Sequence, residues 1–389
     1  MRVFFFTLKK ISSFEDKDIY ADMLNEFIRI GHSVDYYFPS ERNIHQKLNS
    51  NSLNSIKVGL KFQKTTNFIG KYLSYLILEK KVSRKIQESK HHYDLLIIST
   101  PSIFQLRIVR TFKRKFPKSK IILLLKDIFP DNALDLGIIK KSFPMLLVYK
   151  YFKVIESKLY SNVDKIGVMT KLNKEYLIKK NSHVENKIFL SPNSINFYPI
   201  NIEKSKDQLR IPDNKIVITF IGNLGIPQNP SKVKELIDKA PNNFFFIIIG
   251  TGSRENEFNN FSTSKVLFIN NFLSQKEIDQ YLSHSNYGLV MLNGKFTVPN
   301  FPSKILSYLN ANLPILSFTN DFNDLNALIY SKQIPGFWFN SNQIIQSNIF
   351  NLLEKTNQKI HISDFDYAKS IYSVHKQINV IITEVMGNS

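Results

Sequence analysis

The chain opens with a compact apolar run, RVFFFTL at residues 2–8, followed by a segment in which Ile19, Met23, Phe27 and Ile30 recur at helical spacing. Gly31 stops that helix, and Val34–Phe38 begins a second strand. The alternation continues with the buried-type strand LLIIS at 95–99. A basic amphipathic helix is expected to start at Pro101 and to contain Phe104, Ile108 and Phe112. KIILLL at 120–125 is the next strand. Phe143–Tyr160 and Lys171–Lys179 read as helices, with the strand Lys165–Met169 between them. Near-continuous apolar strands of this kind belong to parallel sheets covered on both faces.

Residues 191–214 break the pattern with SPNS and the polar stretch NIEKSKDQLRIPDN. A fresh series then begins. Its strands are expected at Ile216–Ile221, Phe244–Ile249, Val266–Ile269, Tyr287–Met291 and Ile315–Phe318. Helices at Ser231–Lys239, Gln275–Ser283 and Ser303–Ala311 lie between them, and one long helix, Phe365–Met386, ends the chain. The fold class is therefore α/β, with two Rossmann-like parallel-sheet domains facing across a cleft. The boundaries read as 1–195 for the first domain, 196–214 for the connection, 215–365 for the second domain, and 366–389 for a terminal helix crossing back onto the first. In such a pair ligands lie at the C-terminal ends of the strands.

Composition narrows the chemistry. The 389 residues carry a formal charge of +20, which calls for anionic partners. No zinc finger, RNP-like motif or basic helix-turn-helix accompanies that charge, so nucleic acid is not the expected partner. With no cysteine there is no disulfide or thiolate metal site, and the eight histidines form no HExxH-type cluster, so no metal site is expected. The start MRVFFFTLKK has an apolar run of about six residues, short of the roughly 7–15 of a signal peptide. No stretch reaches the roughly 18 apolar residues of a membrane span. Two passages, 68–85 and 143–158, combine apolar with basic residues and read either as core helices with solvated basic faces or as docking surface for an anionic membrane.

Three loops in the second half hold the candidate chemistry. Gly222, Asn223, Leu224 and Gly225 follow a strand directly, where glycine lets the backbone turn tightly and approach a phosphate; the alternative is an ordinary strand-to-helix turn. The loop is neither GxGxxG nor a P-loop, which disfavours a nicotinamide cofactor and excludes a Walker site. Gly250 and Gly252 repeat the arrangement one unit later, with Arg254 either a fork for a diphosphate or a solvated base. The third segment is VPNFPSKILSY at 298–308. Pro302, Ser303 and Lys304 are expected in the first helical turn, where unpaired N–H groups favour a phosphate. A lysine there opposes the helix dipole, so either it faces solvent or an anion sits beside it.

With these segments in view the chain resembles the bacterial GT-B fold glycosyltransferases of retaining family 4 that build capsule and O-antigen (lipopolysaccharide) polysaccharides. The resemblance runs almost end to end, through DIYADMLNEFIRIGHSV (18–34), LLLKDIFPDNALDLGII (123–139), SPNSI (191–195), GNLGIPQNP (222–230), IIIGTGS (247–253) and NFPSKILSYLNANLPIL (300–316). It implies that the GNLG loop approaches the donor phosphates and sugar. Gly250, Gly252 and the stretch at Asn271–Phe272 would then border the nucleotide, with Asn300, Pro302, Ser303 and Lys304 around the diphosphate. It also implies a sugar nucleotide co-substrate, a UDP-sugar, with no further cofactor. The acceptor would be a lipid-linked or oligosaccharide hydroxyl held by the first domain, and the protein would be cytoplasmic, peripheral on the inner face of the membrane. Two features depart from the family. The pair of glutamates common near Pro299 and at Ser307 is absent, which puts ribose recognition in doubt. The glycine pair common after the first strand is replaced by KKISSFEDKD at 9–18. A non-catalytic role in a polysaccharide assembly complex is the alternative those absences leave open.

The leaving group in such a transfer is a diphosphate, and no DxD pair stands at a strand end, so its charge would fall to Lys304, backbone N–H groups and Arg254 without a metal. Asp127 and Lys126 follow the strand KIILLL and are the candidate catalytic or acceptor-contacting residues. Asp127 reads equally as a loop or helix-capping carboxylate.

Overall fold

The computed structural model describes residues 1–9, 11, 17–40, 53–59, 68–100, 103–261, 263–356 and 362–387. Most of the loop at 10–17 and the expected helix start at Pro101 lie outside the described residues. The chain divides into two compact units, Met1–Ser194 with Val374–Ser389, and Ile195–Ser373.

In the first unit β1 (Arg2–Phe6), α1 (Ile19–Arg29), β2 (Ser33–Ser40), β3 (Leu53–Gly59), α2 (Phe68–Glu88), β4 (Leu95–Ser99), α3 (Leu106–Lys115) and β5 (Lys120–Leu125) follow in order. Then come α4 (Asp131–Asp135), α5 (Met145–Asn162), β6 (Lys165–Val168), α6 (Lys171–Lys180) and β7 (Ile188–Leu190). The second unit continues with β8 (Ile216–Ile221), α7 (Pro230–Lys239), β9 (Phe244–Ile249), β10 (Val266–Ile269), α8 (Gln275–Leu282) and β11 (Tyr287–Met291). It ends with α9 (Lys304–Asn310), β12 (Ile315–Thr319), α10 (Leu325–Tyr330), β13 (Gly336–Asn340), α11 (Asn348–Thr356) and α12 (Asp366–Ile371). The last helix, α13 (Val374–Met386), belongs to the first unit.

Among the described residues the first unit builds a seven-stranded sheet in the order β3-β2-β1-β4-β5-β6-β7, and the second a six-stranded sheet in the order β10-β9-β8-β11-β12-β13. Every strand pair is parallel. The doubly wound α/β class expected from the apolar runs is the class observed. Strand order reverses between β1 and β4 in one unit and between β8 and β11 in the other. Such reversals splay the connections apart and leave a crevice at the strands' C-terminal ends.

The strands form as they do because both faces are covered. All five residues of β4 and all six of β9 are buried. Each large apolar side chain taken from water contributes roughly 1.5–3 kcal/mol. Helix α1 starts at Asp18, whose carboxylate accepts the Tyr20 N–H at 2.9 Å, and it lays Ala21, Met23, Leu24 and Phe27 on the sheet. Ile378 and Ile381 of α13 enter the same core as Val3, Phe5 and Phe27. Lys165 and Glu384 pair at 2.5 Å, and His375 reaches Glu26 at 2.7 Å.

Three local expectations are corrected. The terminal segment is not one helix: α12 ends at Ile371 and α13 starts at Val374. The Tyr372 carbonyl instead accepts the Ile195 N–H at 3.2 Å, and Ser373 pairs with Ile195, so the backbone bonds that would continue the helix are spent on a bridge. Phe104 is not in α3 but in the turn before it, between the rings of Tyr75 (5.6 Å) and Phe152 (5.5 Å). Pro302 lies outside the first turn of α9. Ser303 is its N-cap, and the Pro302 and Ser303 carbonyls accept from Ile305 and Leu306 in tight i→i+3 turns.

Candidate functional site

The second unit carries its candidates where strand order reverses. The backbone leaves β8 at Gly222 with φ +129°, a conformation that favours glycine. Its N–H still reaches Ile249 at 2.9 Å, Leu224 N–H reaches Thr251 at 2.9 Å, and Arg254 N–H reaches Leu224 at 3.0 Å. The GNLG and GTGS loops thus extend the β8–β9 ladder past the strand ends. Gly250, with φ +150°, is crossed so closely that a Cβ there would lie 1.8 Å from the Gly222 carbonyl oxygen. A Cβ at Gly252 would lie 2.5 Å from the Leu224 backbone. These two glycines are therefore required by the neighbouring loop itself, independently of any ligand.

Lys304 is the centre of this site. It is 8% exposed, and its Nζ donates to Gln228 Oε1 at 2.8 Å. The same nitrogen stands 3.7 Å from the centre of the Phe220 ring, and a Cβ on Gly222 would lie 3.3 Å from it. Burial pushes this ammonium well below its ordinary pKa. Among the described residues it forms no ion pair. A neutral amide and a ring face partly compensate a buried cation, and an anion at the turn would complete it. Gln228 is a residue that pattern reading passed over. It lies in the GNLGIPQNP run, but nothing in spacing tells that its amide meets Lys304.

The other candidates are disposed around these loops unequally. Asn223 and Ser303 are exposed, Leu224 is fully buried core, and Gly225 is buried. Pro302 is buried, and the Asn300 carbonyl accepts from Asn323 Nδ2. Arg254 already has protein partners: its guanidinium donates to Ser231 Oγ at 2.6 Å and stands beside Glu257. Phe272, just beyond β10, is 84% exposed, an apolar ring face left in water. Its N–H is held by Asn271 Oδ1 at 2.8 Å. At the glutamate-lacking position Ser307 donates to Gln275 Oε1 at 3.3 Å, and the Gln275 amide donates to Asp279 at 2.8 Å. Pro299 is buried.

The first unit holds a second polar cluster at its own strand ends. Lys126 and Asp127 leave β5 with both backbone N–H groups donated to Thr100 Oγ1, at 2.8 and 3.0 Å. The Lys126 Nζ donates to the Ser191 carbonyl at 3.1 Å. Both residues are half-buried with their titrating atoms sunk inward. Burial lowers Lys126 to about 7 and raises Asp127 above the usual carboxylate range. The Tyr20 hydroxyl lies 2.6 Å from Ser99 Oγ at the end of β4, and burial, followed by the charges of Asp18 and Asp127, keeps it protonated. Tyr20 and Ser99 were not among the candidates, because an isolated tyrosine on a helix and a serine ending a strand carry no pattern. Tyr20 and Ser99 are buried and bonded to each other, while Lys126 and Asp127 are the half-exposed members of the cluster.

No family model matches the chain, and no curated protein matches it. Solved structures do. Trehalose-6-phosphate synthase OtsA superposes with a TM-score of 0.73 at 11% identity over 100% of both chains. The E. coli trehalose-6-phosphate structure bound with UDP-2-fluoro glucose gives 0.72 at 11% identity, again over 100% of both. Sucrose-phosphate synthase from Thermosynechococcus elongatus gives 0.71 at 12% identity over 99% of both. The chain has the GT-B fold. At these identities the likeness is one of fold, and what each of those proteins binds is a property of that protein.

Proposed function

We propose that this chain is a glycosyltransferase that moves a sugar from a nucleoside diphosphate donor, a UDP-sugar, to a hydroxyl of a growing, lipid-linked surface polysaccharide. The observation that carries the reading is Lys304: a buried ammonium with no carboxylate partner among the described residues, set under the Gly222 turn where strand order reverses. A diphosphate beside Gly222 and Ser303 would supply the missing anion, and the exposed Phe272 ring would stack the base. The fold is shared with the E. coli trehalose-6-phosphate structure bound with UDP-2-fluoro glucose.

In the reaction the bond from the sugar's anomeric carbon to the phosphate oxygen breaks, and a bond to the acceptor oxygen forms. The electron pair leaves with the diphosphate, whose growing charge meets Lys304 and the loop N–H groups without a metal. The acceptor proton passes to the departing phosphate, so attack from the same face retains configuration. Asp127 and Lys126 hold the acceptor hydroxyls. The transferred unit is a hexose or N-acetylhexosamine.

A panel of UDP, GDP and their sugars titrated calorimetrically tests this. Saturable binding of one nucleotide, weakened by Lys304→Met, and transfer to an oligosaccharide acceptor detected by mass spectrometry are the expected results. No binding by any diphosphate overturns the reading. Ser307 and Pro299 in place of glutamates favour a second reading, a non-catalytic partner in polysaccharide assembly. Turnover by the purified chain rejects it.

A further inference from the structure

The connection from β11 to α9 runs from residue 292 to residue 303, longer than the roughly 2–6 residues that join a strand to a helix in most α/β units. Its side chains divide between core and water. Phe296, Val298 and Phe301 are buried, while Lys295 and Thr297 are exposed. The Phe301 ring stacks on Tyr372 at 5.3 Å, and a Cβ at Gly294 would lie 1.8 Å from Asn342 Oδ1, so the stretch is closely packed. Irregular backbone of this kind needs donors for its carbonyls from outside helix and sheet.

Asparagine side chains supply them. From the loop after β12, Asn320 Nδ2 donates to the Gly294 carbonyl at 3.0 Å and also to the Phe296 carbonyl, and Asn323 Nδ2 donates to the Asn300 carbonyl. Both side chains are buried, and each turns its Oδ1 back on its own loop. Asn320 accepts the Phe322 N–H at 3.1 Å, and Asn323 accepts the Leu325 N–H at 2.9 Å. Each amide thus bridges two loops with both ends engaged, which fixes its orientation. Aspartate would not serve, because an ionised carboxylate has no hydrogen to give a carbonyl. On the other flank Asn293 ties the same stretch to the GNLGIPQ turn. Its N–H donates to the Pro227 carbonyl at 2.9 Å and its Nδ2 to the Ile226 carbonyl at 3.3 Å. Beyond the tie at Asn300, the buried Phe301 and Pro302 lead straight to Ser303 and Lys304.

We propose that Asn320 and Asn323 are positioning residues for the donor site. They act through the 292–303 stretch to hold Ser303 and Lys304 in register with the Gly222 turn. A connection that had only to return the chain to a helix would need neither this length nor ties from both flanks. A displacement of about 1 Å in such a group is enough to weaken its action on a ligand about a hundredfold. The two amides touch no substrate and have their effect through the backbone they hold. The inference rests on the donor reading of Lys304 above and adds to it the residues that keep that lysine in place.

Calorimetric titration of the full chain with UDP and GDP, beside thermal melting, tests it. Asn323→Asp keeps the shape of the side chain and removes its N–H groups. At about pH 8 it should bind the diphosphate about 10- to 100-fold more weakly than wild type. Toward about pH 5 the new carboxyl, raised by burial against a carbonyl, regains a proton to donate, and the deficit against wild type at the same pH should shrink. Asn323→Ala should show the loss without the recovery, and it carries the test if the aspartate variant does not fold. Asn286→Ala is the matched control. Its Oδ1 accepts the Val217 N–H at 2.8 Å at the start of β8, the far end of that strand from Gly222. It should lower the melting temperature and leave affinity unchanged. Wild-type affinity in the folded Asn323 variants overturns the proposal and leaves the donor reading standing. An equal loss of affinity in Asn286→Ala also overturns it, since the effect would then follow stability alone. No diphosphate binding by the wild type overturns the donor reading and this inference with it.

Discussion

The Lys304 ammonium stands 3.7 Å from the centre of the Phe220 ring, directly beneath the turn at Gly222. Phe220 lies in the buried part of β8, Gly222 turns the chain, and Lys304 opens α9, so three separate elements meet on one nitrogen. A solvated lysine would need none of this packing. The cost of desolvating an ammonium is several kcal/mol, and a ring face and one amide recover part of it. The remainder is what an anionic ligand would supply.

Lys304→Met separates stability from binding. Methionine keeps the stem's shape against Phe220 and removes a desolvated charge, so the melting temperature should hold or rise. Loss of a charge-assisted contact of about 1.5–3 kcal/mol should weaken diphosphate binding roughly 10- to 100-fold. Calorimetry and thermal melting on the same preparation read both. A fall in stability with unchanged affinity would make Lys304 a structural residue.

Gly250→Ala tests the crossing of the two loops. The new methyl would start 1.8 Å from the Gly222 carbonyl oxygen, at a φ of +150°. The loops must part, and the loss should be at least about 3 kcal/mol. Gly31→Ala is the comparison, because it has positive φ but nothing within 4 Å, and should cost roughly 1–2 kcal/mol. Denaturant melts of both variants give the difference. Equal costs would show that backbone strain alone matters at Gly250.

How much of this was legible depends on the signal each residue carries. The second unit's β8, β9 and β11 fall where continuous apolar runs put them, since strands buried on both faces have no other composition. The strand GFWFN at 336–340 and the three-residue Ile188–Leu190 went unread because one is half-exposed and the other too short for periodicity. The turns at Gly222 and Gly250 stood out as glycine pairs after strands. The partnership of Lys304 with Phe220 and Gln228 spans 84 and 76 positions of chain, and no local pattern encodes a contact at that separation. Tyr20 and Ser99 were invisible for the same reason.

Phe272→Ala addresses the ring left in water. At 84% exposure its removal should leave stability within about 0.5 kcal/mol of wild type. If the ring stacks a nucleotide base, affinity should fall by about 1–3 kcal/mol, while Phe272→Tyr keeps it. Unchanged affinity in the alanine variant would remove Phe272 from the donor site.

The motif LLLKDIFPDNALDLG owes its shape to a network beneath it, and that network should make the protein sensitive to pH. Asp131 accepts from the Tyr149 hydroxyl at 2.7 Å and the Tyr176 hydroxyl at 2.9 Å, and Lys153 lies 3.3 Å away. Lys153 also pairs with Glu156, which is fully buried and accepts from Tyr160 at 3.0 Å. Burial raises Glu156 from 4.5 to about 7, against the opposing pull of Lys153. Between those values the unfolded chain gives up its proton while the folded chain keeps it. Stability therefore falls as pH rises through that interval, stays reduced above it, and is unaffected by this group below 4.5. The loss is on the order of 3 kcal/mol. Glu156→Gln cannot ionise, so its denaturation midpoint should drop less than wild type's between acid and alkaline buffers. Because the network holds the loop bearing Lys126 and Asp127, amide protection there, compared with Glu156→Gln at the same pH, should fall in the wild type as pH rises. Parallel pH profiles for the two proteins would show that Glu156 ionises normally and that the network is indifferent to its charge.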